Sequence, residues 1–145
     1  MKKQNQLTIR MLRGVMLLMT MLLVPIGVWA ENYGLTVAGV QVTDANALNV
    51  LGDQETPTVV FDATTNTLTL NGAEINGKIT YNGTSNLTIA FSGTNAVSTS
   101  ETSAIQYGGS ESVRPKLTFS STNGTLTING ESIEGFSDVD FGSLN

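Results

Sequence analysis

Beyond residue 51 the chain shows no helical periodicity; apolar residues alternate with polar ones in short runs broken by turn residues. A period of two is the signature of a half-buried strand. Thr67-Leu68-Thr69-Leu70, Asn86-Leu87-Thr88-Ile89, Lys116-Leu117-Thr118-Phe119 and Thr125-Leu126-Thr127-Ile128 share one unit, x-Leu-Thr-apolar. The leucines are 19, 30 and 9 residues apart, and Leu144 follows Leu126 by 18. In each unit the apolar pair is expected to face inward and the Thr outward, where a β-branched hydroxyl suits a sheet surface. Two further units recur: Ile79-Thr80-Tyr81-Asn82-Gly83 with Ile105-Gln106-Tyr107-Gly108-Gly109, and Asn71–Ile75 with Gly93–Val97 and Asn129–Ile133.

Asn-Gly occurs five times, at Asn71, Asn76, Asn82, Asn123 and Asn129. Both residues tolerate positive φ, so each pair is a turn signal. Residue-for-residue recurrence with unequal gaps predicts a right-handed parallel β-solenoid, with roughly 20 residues per coil and equivalent side chains stacked on neighbouring rungs. Leu68's strand is expected beside Leu87's. The alternative is an antiparallel β-sandwich, in which the Asn-Gly pairs would close hairpins. Ahead of the repeats, Leu35, Val37, Val40 and Val42 suggest a strand pair with a bulge at Ala38-Gly39. Thr43-Asp44 could cap a short helix over Ala45–Leu51, ended by Gly52. Residues 31–57 would then be an N-terminal cap and residues 58–145 the repeats.

The first thirty residues have a different pattern. Lys2, Lys3, Arg10 and Arg13 precede the apolar run Gly14–Val24, and Pro25 and Gly27 then break it. Val28 and Ala30 place small residues before Glu31, the layout of a cleaved signal peptide. A membrane span needs roughly 20 apolar residues. The expected destination is secretion or the cell surface, with the periplasm as the other compartment. No membrane span is expected after cleavage.

Removing residues 1–30 leaves three basic residues against twelve acidic ones, a formal charge of −9. Such a surface repels phosphate backbones, so no nucleic-acid partner is expected. The chain has no Cys and no His. Thiol and histidine nucleophile systems and His- or Cys-ligated metal sites are therefore excluded, and no cofactor is expected. Carboxylates remain. Asp138 and Asp140 would share one strand face, at the spacing of an inverting glycosidase pair. Val139 and Phe141 facing inward would make that face simply the solvent face. Glu131, Glu134, Asp138 and Asp140 are weak candidates for a Ca²⁺ site, although their spacing matches no loop motif.

Arg114 and Lys116 are the only basic cluster and lie at the end of the longest gap between strands, Ser98–Pro115. The sole Trp, Trp29, leaves with the signal. Tyr81 and Tyr107 are then the weak aromatic candidates for ligand binding, although each shares the inward face of Ile79 or Ile105.

The segments YGLTVAGVQVTDANALNVLGD, VVFDATTNTLTLNGAEI and ITYNGTSNLTIAFSGTNAV resemble an uncharacterised family of exported bacterial β-helix repeat proteins, some labelled carbohydrate-binding. The resemblance is close over Tyr33 to about Val97 and loose over Ile105–Gly130, and it carries no catalytic motif. It implies a β-helical fold and a secreted, non-catalytic module that binds a glycan or surface partner. A structural spacer or adhesin-like stalk element is the alternative, and a carboxylate-dependent hydrolase the weakest expectation. The strand-like pattern still running at Val139 and Phe141 also suggests edge-to-edge self-association at the C-terminal end.

Overall fold

In a computed structural model of the chain, residues 30–52 and 55–142 are described. Residues 1–29, which hold all but the last residue of the expected signal peptide, and Leu144 lie outside them. Among the described residues eleven strands form: β1 Asn32–Val37, β2 Val40–Thr43, β3 Val59–Asp62, β4 Thr67–Asn71, β5 Glu74–Asn76, β6 Ile79–Tyr81, β7 Leu87–Ser98, β8 Ser103–Tyr107, β9 Lys116–Asn129, β10 Ser132–Glu134 and β11 Asp138–Asp140. The architecture is all-β, with two mixed sheets that do not close on themselves. One sheet has the order β10-β8-β6-β1-β2; the other has the order β11-β9-β7-β4-β3, with β5 also on β7.

Among the described residues six of the nine strand pairs are parallel, and β1/β2, β1/β6 and β3/β4 are antiparallel. No Asn-Gly pair closes a hairpin between antiparallel strands. From β6 onward the chain alternates between the sheets, so each strand meets its equivalent one passage later. Ile79 stands beside Ile105, and Ile105 beside Ile133. In the other sheet Leu87 stands beside Leu117, and Leu117 beside Val139.

The register corrects several expectations. Leu68 pairs with Ile89 rather than Leu87, so the best sequence alignment is two residues off in space. Paired positions lie 21 to 31 residues apart rather than about 20. Thr125–Ile128 is no separate rung. It forms the second half of β9 and lies beside Thr94–Val97. Asn71–Ile75 and Gly93–Val97 are equivalent, but Gly124–Ile128 is the third member of that column, not Asn129–Ile133. The gap Ser98–Pro115 holds β8, in register with β6.

Leu68, Leu70, Ile75, Ile79, Leu87, Ile89, Ile105 and Leu117 fill the core. Each such side chain contributes about 1.5–3 kcal/mol by leaving water. Thr69 and Thr127 are exposed, and Thr88 and Thr118 are partly so, as the alternation requires. Leu126 and Ile128 are only half-buried. Beyond β9, β11 covers only Lys116–Thr118, so among the described residues no strand pairs with the outer edge of Ser120–Asn129.

No helix forms after Thr43. The Ala47 amide donates to the Thr43 carbonyl and the Asn49 amide to the Asn46 carbonyl, but these turns do not join into a helix. The backbone of this segment bonds to β3 instead: the Val50 amide donates to the Val59 carbonyl and the Phe61 amide to the Ala47 carbonyl. Asn46 adds local competition, accepting from the Thr43 amide at 2.7 Å and donating to the Gln41 carbonyl at 2.9 Å. Ala38-Gly39 is a two-residue hairpin turn with positive φ at both residues, not a bulge; the irregular register lies between Asn32 and Thr36.

Candidate functional site

Three segments converge on an open cleft of about 580 Å³: Asn32–Gly34, the β3–β4 turn Ala63–Asn66, and Tyr81–Asn86 between β6 and β7. Each is fixed by its own chemistry. The Asp62 carboxylate accepts from the Thr64 amide at 2.9 Å and the Thr65 hydroxyl at 2.8 Å, an Asx-type closure of the turn. These donors hold the Asp62 carboxyl below its ordinary pKa. Asn66 takes a left-handed φ of 51°. Its side-chain amide donates to the Tyr81 hydroxyl at 2.7 Å and the Asn86 carbonyl at 2.6 Å. The Tyr81 hydroxyl in turn donates to the Ser85 carbonyl at 2.9 Å.

Tyr81 therefore forms the floor and braces two of the walls. Burial pushes its phenol pKa up. Gly83 is required above it, because a Cβ there would collide with the Tyr81 hydroxyl. The third wall is tied on by the Asn82 amide, which donates to the Gly34 carbonyl at 2.6 Å.

The lining is uncharged at neutral pH: Asn32, Asn66, Asn82 and Asn86 carboxamides, Thr and Ser hydroxyls, and two tyrosines. Tyr33 stands in the wall, half-buried, with its ring 5.4 Å from that of Phe61. Its hydroxyl has no hydrogen-bond partner among the described residues. Partial desolvation raises its pKa, with Glu31 and Asp44 adding to the shift.

Of the sequence candidates, only Tyr81 lines this cleft. Tyr107 occupies the equivalent position on the next passage, buried, with its ring 6.3 Å from that of Tyr81 and its hydroxyl donating to the Val113 carbonyl at 2.6 Å. Arg114 pairs with Glu111 at 3.2 Å. Lys116 reaches Asp140 at 2.9 Å and Asp138 at 3.3 Å. Lys78 pairs with Glu101. Every basic side chain after residue 30 is thus in an ion pair.

The four acidic candidates do not converge. Glu134, on β10, accepts from Ser103 and Gln106. Asp138 and Asp140 lie on β11 in the other sheet, and Glu131 is exposed. Among the described residues no group of three acidic side chains is placed to hold a metal ion. Asp140 has its carboxyl held below the ordinary pKa by the Gly142 amide and then by Lys116.

Comparison with family models, curated proteins and solved structures finds no match for this chain. The site alone carries the functional reading.

Sequence reasoning missed Tyr33. Simple alternation puts it with Leu35 and Val37 on the inward face. The ring does pack on Phe61 at the edge of the core, and beside Gly34, at a φ of 68°, it also stands in the cleft wall. Gly34 inside β1, directly after Tyr33, was the only signal available.

Proposed function

We propose that the chain is an exported, non-catalytic module with a solenoid-like coil, and that the cleft beside Tyr33 binds a neutral glycan. The uncharged polar lining carries this reading. A sugar offers hydroxyl donors and acceptors together with apolar ring faces; carboxamides, hydroxyls and an aromatic ring answer both. The parallel passages Leu87/Leu117/Val139 and Ile79/Ile105/Ile133 support the coil, and the β1–β2 hairpin supports the cap.

One observation speaks for binding over turnover, and a second for a neutral over an acidic sugar. A glycosidase needs a carboxylic acid that keeps its proton near neutral pH. Asp138 and Asp140 instead share Lys116, and the Asp140 carboxyl is shifted the opposite way. The other basic side chains, Lys78 and Arg114, are neutralised by Glu101 and Glu111, which leaves none free to hold an acidic sugar.

A glycan array probed with the exported protein tests the reading. Binding to neutral glycans is expected, and Tyr33→Ala should weaken it roughly fivefold at a temperature where the variant, which also loses the packing of the ring on Phe61, is still folded, since ring contacts contribute about 1 kcal/mol. An array blank for neutral glycans, or full binding by Tyr33→Ala, would overturn it. The unbroken columns of stacked side chains favour a second reading, a structural spacer or stalk element, for which a blank array is the expected result.

A further inference from the structure

We propose that Asn82 is a self-modifying site, at which the side-chain amide converts to aspartate and isoaspartate in the folded protein and places a negative charge on the lip of the cleft. The chemistry needs only the chain and water. The Gly83 backbone nitrogen attacks the Asn82 side-chain carbonyl carbon and loses its proton to solvent base. A C–N bond forms and ammonia leaves. Water then opens the succinimide to either acid. The absence of a side chain at Gly83 removes the steric barrier to ring closure.

Five Asn-Gly pairs have this potential, and the fold restrains four of them. The Gly72 amide donates to the Ser92 carbonyl at 3.2 Å, and the Asn71 side chain accepts from the Ser92 hydroxyl at 3.1 Å. The Gly77 amide donates to the Ser98 carbonyl at 2.8 Å. The Gly124 amide donates to the Ser121 hydroxyl at 3.2 Å, and the Asn129 side chain donates to the Ser98 hydroxyl at 3.1 Å. At Asn82-Gly83 neither the attacking amide nor the side chain has a partner among the described residues, and Asn82 is exposed.

Turn geometry does not account for this pair either. Neither Asn82 nor Gly83 uses a left-handed φ, unlike Asn123, Gly72 and Gly77. Gly83 is fixed by the Tyr81 ring packed against it, so the vulnerable dipeptide comes with the floor of the cleft. An isoaspartate lengthens the backbone by one carbon between the residue tied to Gly34 and the residue packed on Tyr81. Aspartate adds a carboxylate that is ionised at neutral pH. The modification is independent of what fills the cleft; its effect on glycan binding rests on the reading above.

The test is peptide mapping with isoaspartate detection on full-length exported protein held folded at mildly alkaline pH, alongside a sample in urea. Asn82 should convert roughly fivefold faster than each of the other four in the folded protein, the factor that one net hydrogen bond sets. In urea the five rates should draw together, and Asn82→Gln should abolish the fast event. If Asn71, Asn76, Asn123 or Asn129 keeps pace with Asn82 in the folded protein, the proposal fails. Conversion at Asn82 with undiminished glycan binding would leave the modification standing and remove the cleft as the glycan site.

Discussion

Asn95 is 1% exposed and ties three passages of the chain together. Its carbonyl oxygen accepts from the Ala73 amide at 2.9 Å. Its amide nitrogen donates to the Ser92 carbonyl at 2.9 Å, the Gly93 carbonyl at 3.3 Å and the Thr125 carbonyl at 3.1 Å. Replacing it with Ala leaves the Ala73 amide and the Thr125 carbonyl without the partner that Asn95 gives them. An unsatisfied buried group costs about 1–3 kcal/mol, and Thr125 is exposed so that its carbonyl can turn to water; Asn95→Ala should therefore lose about 1–3 kcal/mol through the Ala73 amide. Domains of this kind have about 5–15 kcal/mol in total. Asn95→Asp should be no better at neutral pH: it keeps an acceptor for Ala73 but aims a carboxylate at three carbonyls. Urea unfolding followed by far-UV circular dichroism measures both. A loss below about 1 kcal/mol for Asn95→Ala would refute the view that this side chain holds the passages in register.

Leu87 is fully buried in the column with Leu117, and Leu87→Ala should cost about 2–5 kcal/mol by urea unfolding; a loss below half of that range's lower end would contradict its core placement. The Asp140 carboxyl has its pKa depressed by folding, so its contribution is complete at neutral pH and is lost as pH falls through the carboxylate range. Asp140→Asn should therefore narrow the gap between neutral and acid stability slightly, since the pair with Lys116 is solvent-exposed; an unfolding profile parallel to wild type down to acid pH would count against this. Intact-mass measurement of the exported protein should give a chain starting at Glu31, and retention of residues 1–30 would overturn the cleavage. Outward-pointing amides of Ser120–Asn129 should exchange with solvent quickly in dilute protein and become protected as concentration rises, if copies meet at this edge; strong protection in dilute monomer would mean the edge is already covered.

The all-β character, the inward leucines and the outward threonines were legible because a period of two admits one reading once a face is buried. Ile79 with Ile105 and Leu87 with Leu117 were legible because the two members of each pair occupy the same place in their units. Register elsewhere was not. Thr-Leu-Thr-Leu at 67–70 and Asn-Leu-Thr-Ile at 86–89 look alike, yet Leu68 sits beside Ile89. Sequence identity between units rewards matching letters, whereas the sheet only requires that apolar residues share a face. A two-residue slip preserves that face, so the pattern cannot exclude it.

The site was harder to read for a related reason. Repeats point to positions that recur, and recurring positions here are structural: Tyr81 and Tyr107 each spend the hydroxyl on a loop carbonyl. The cleft is instead made where repetition fails. Asn32–Gly34 belongs to the hairpin and Ala63–Asn66 to the antiparallel β3–β4 turn, and only Tyr81–Asn86 comes from a repeated unit. On the next passage, residues 108–115 lie after Tyr107, where the Tyr107 hydroxyl takes the Val113 carbonyl and Arg114 pairs with Glu111. A binding surface on a repetitive fold is thus best sought at its irregular end, where antiparallel strands meet the first parallel passage. Tyr33, in β1 at that junction, is the one tyrosine whose hydroxyl the described fold does not use.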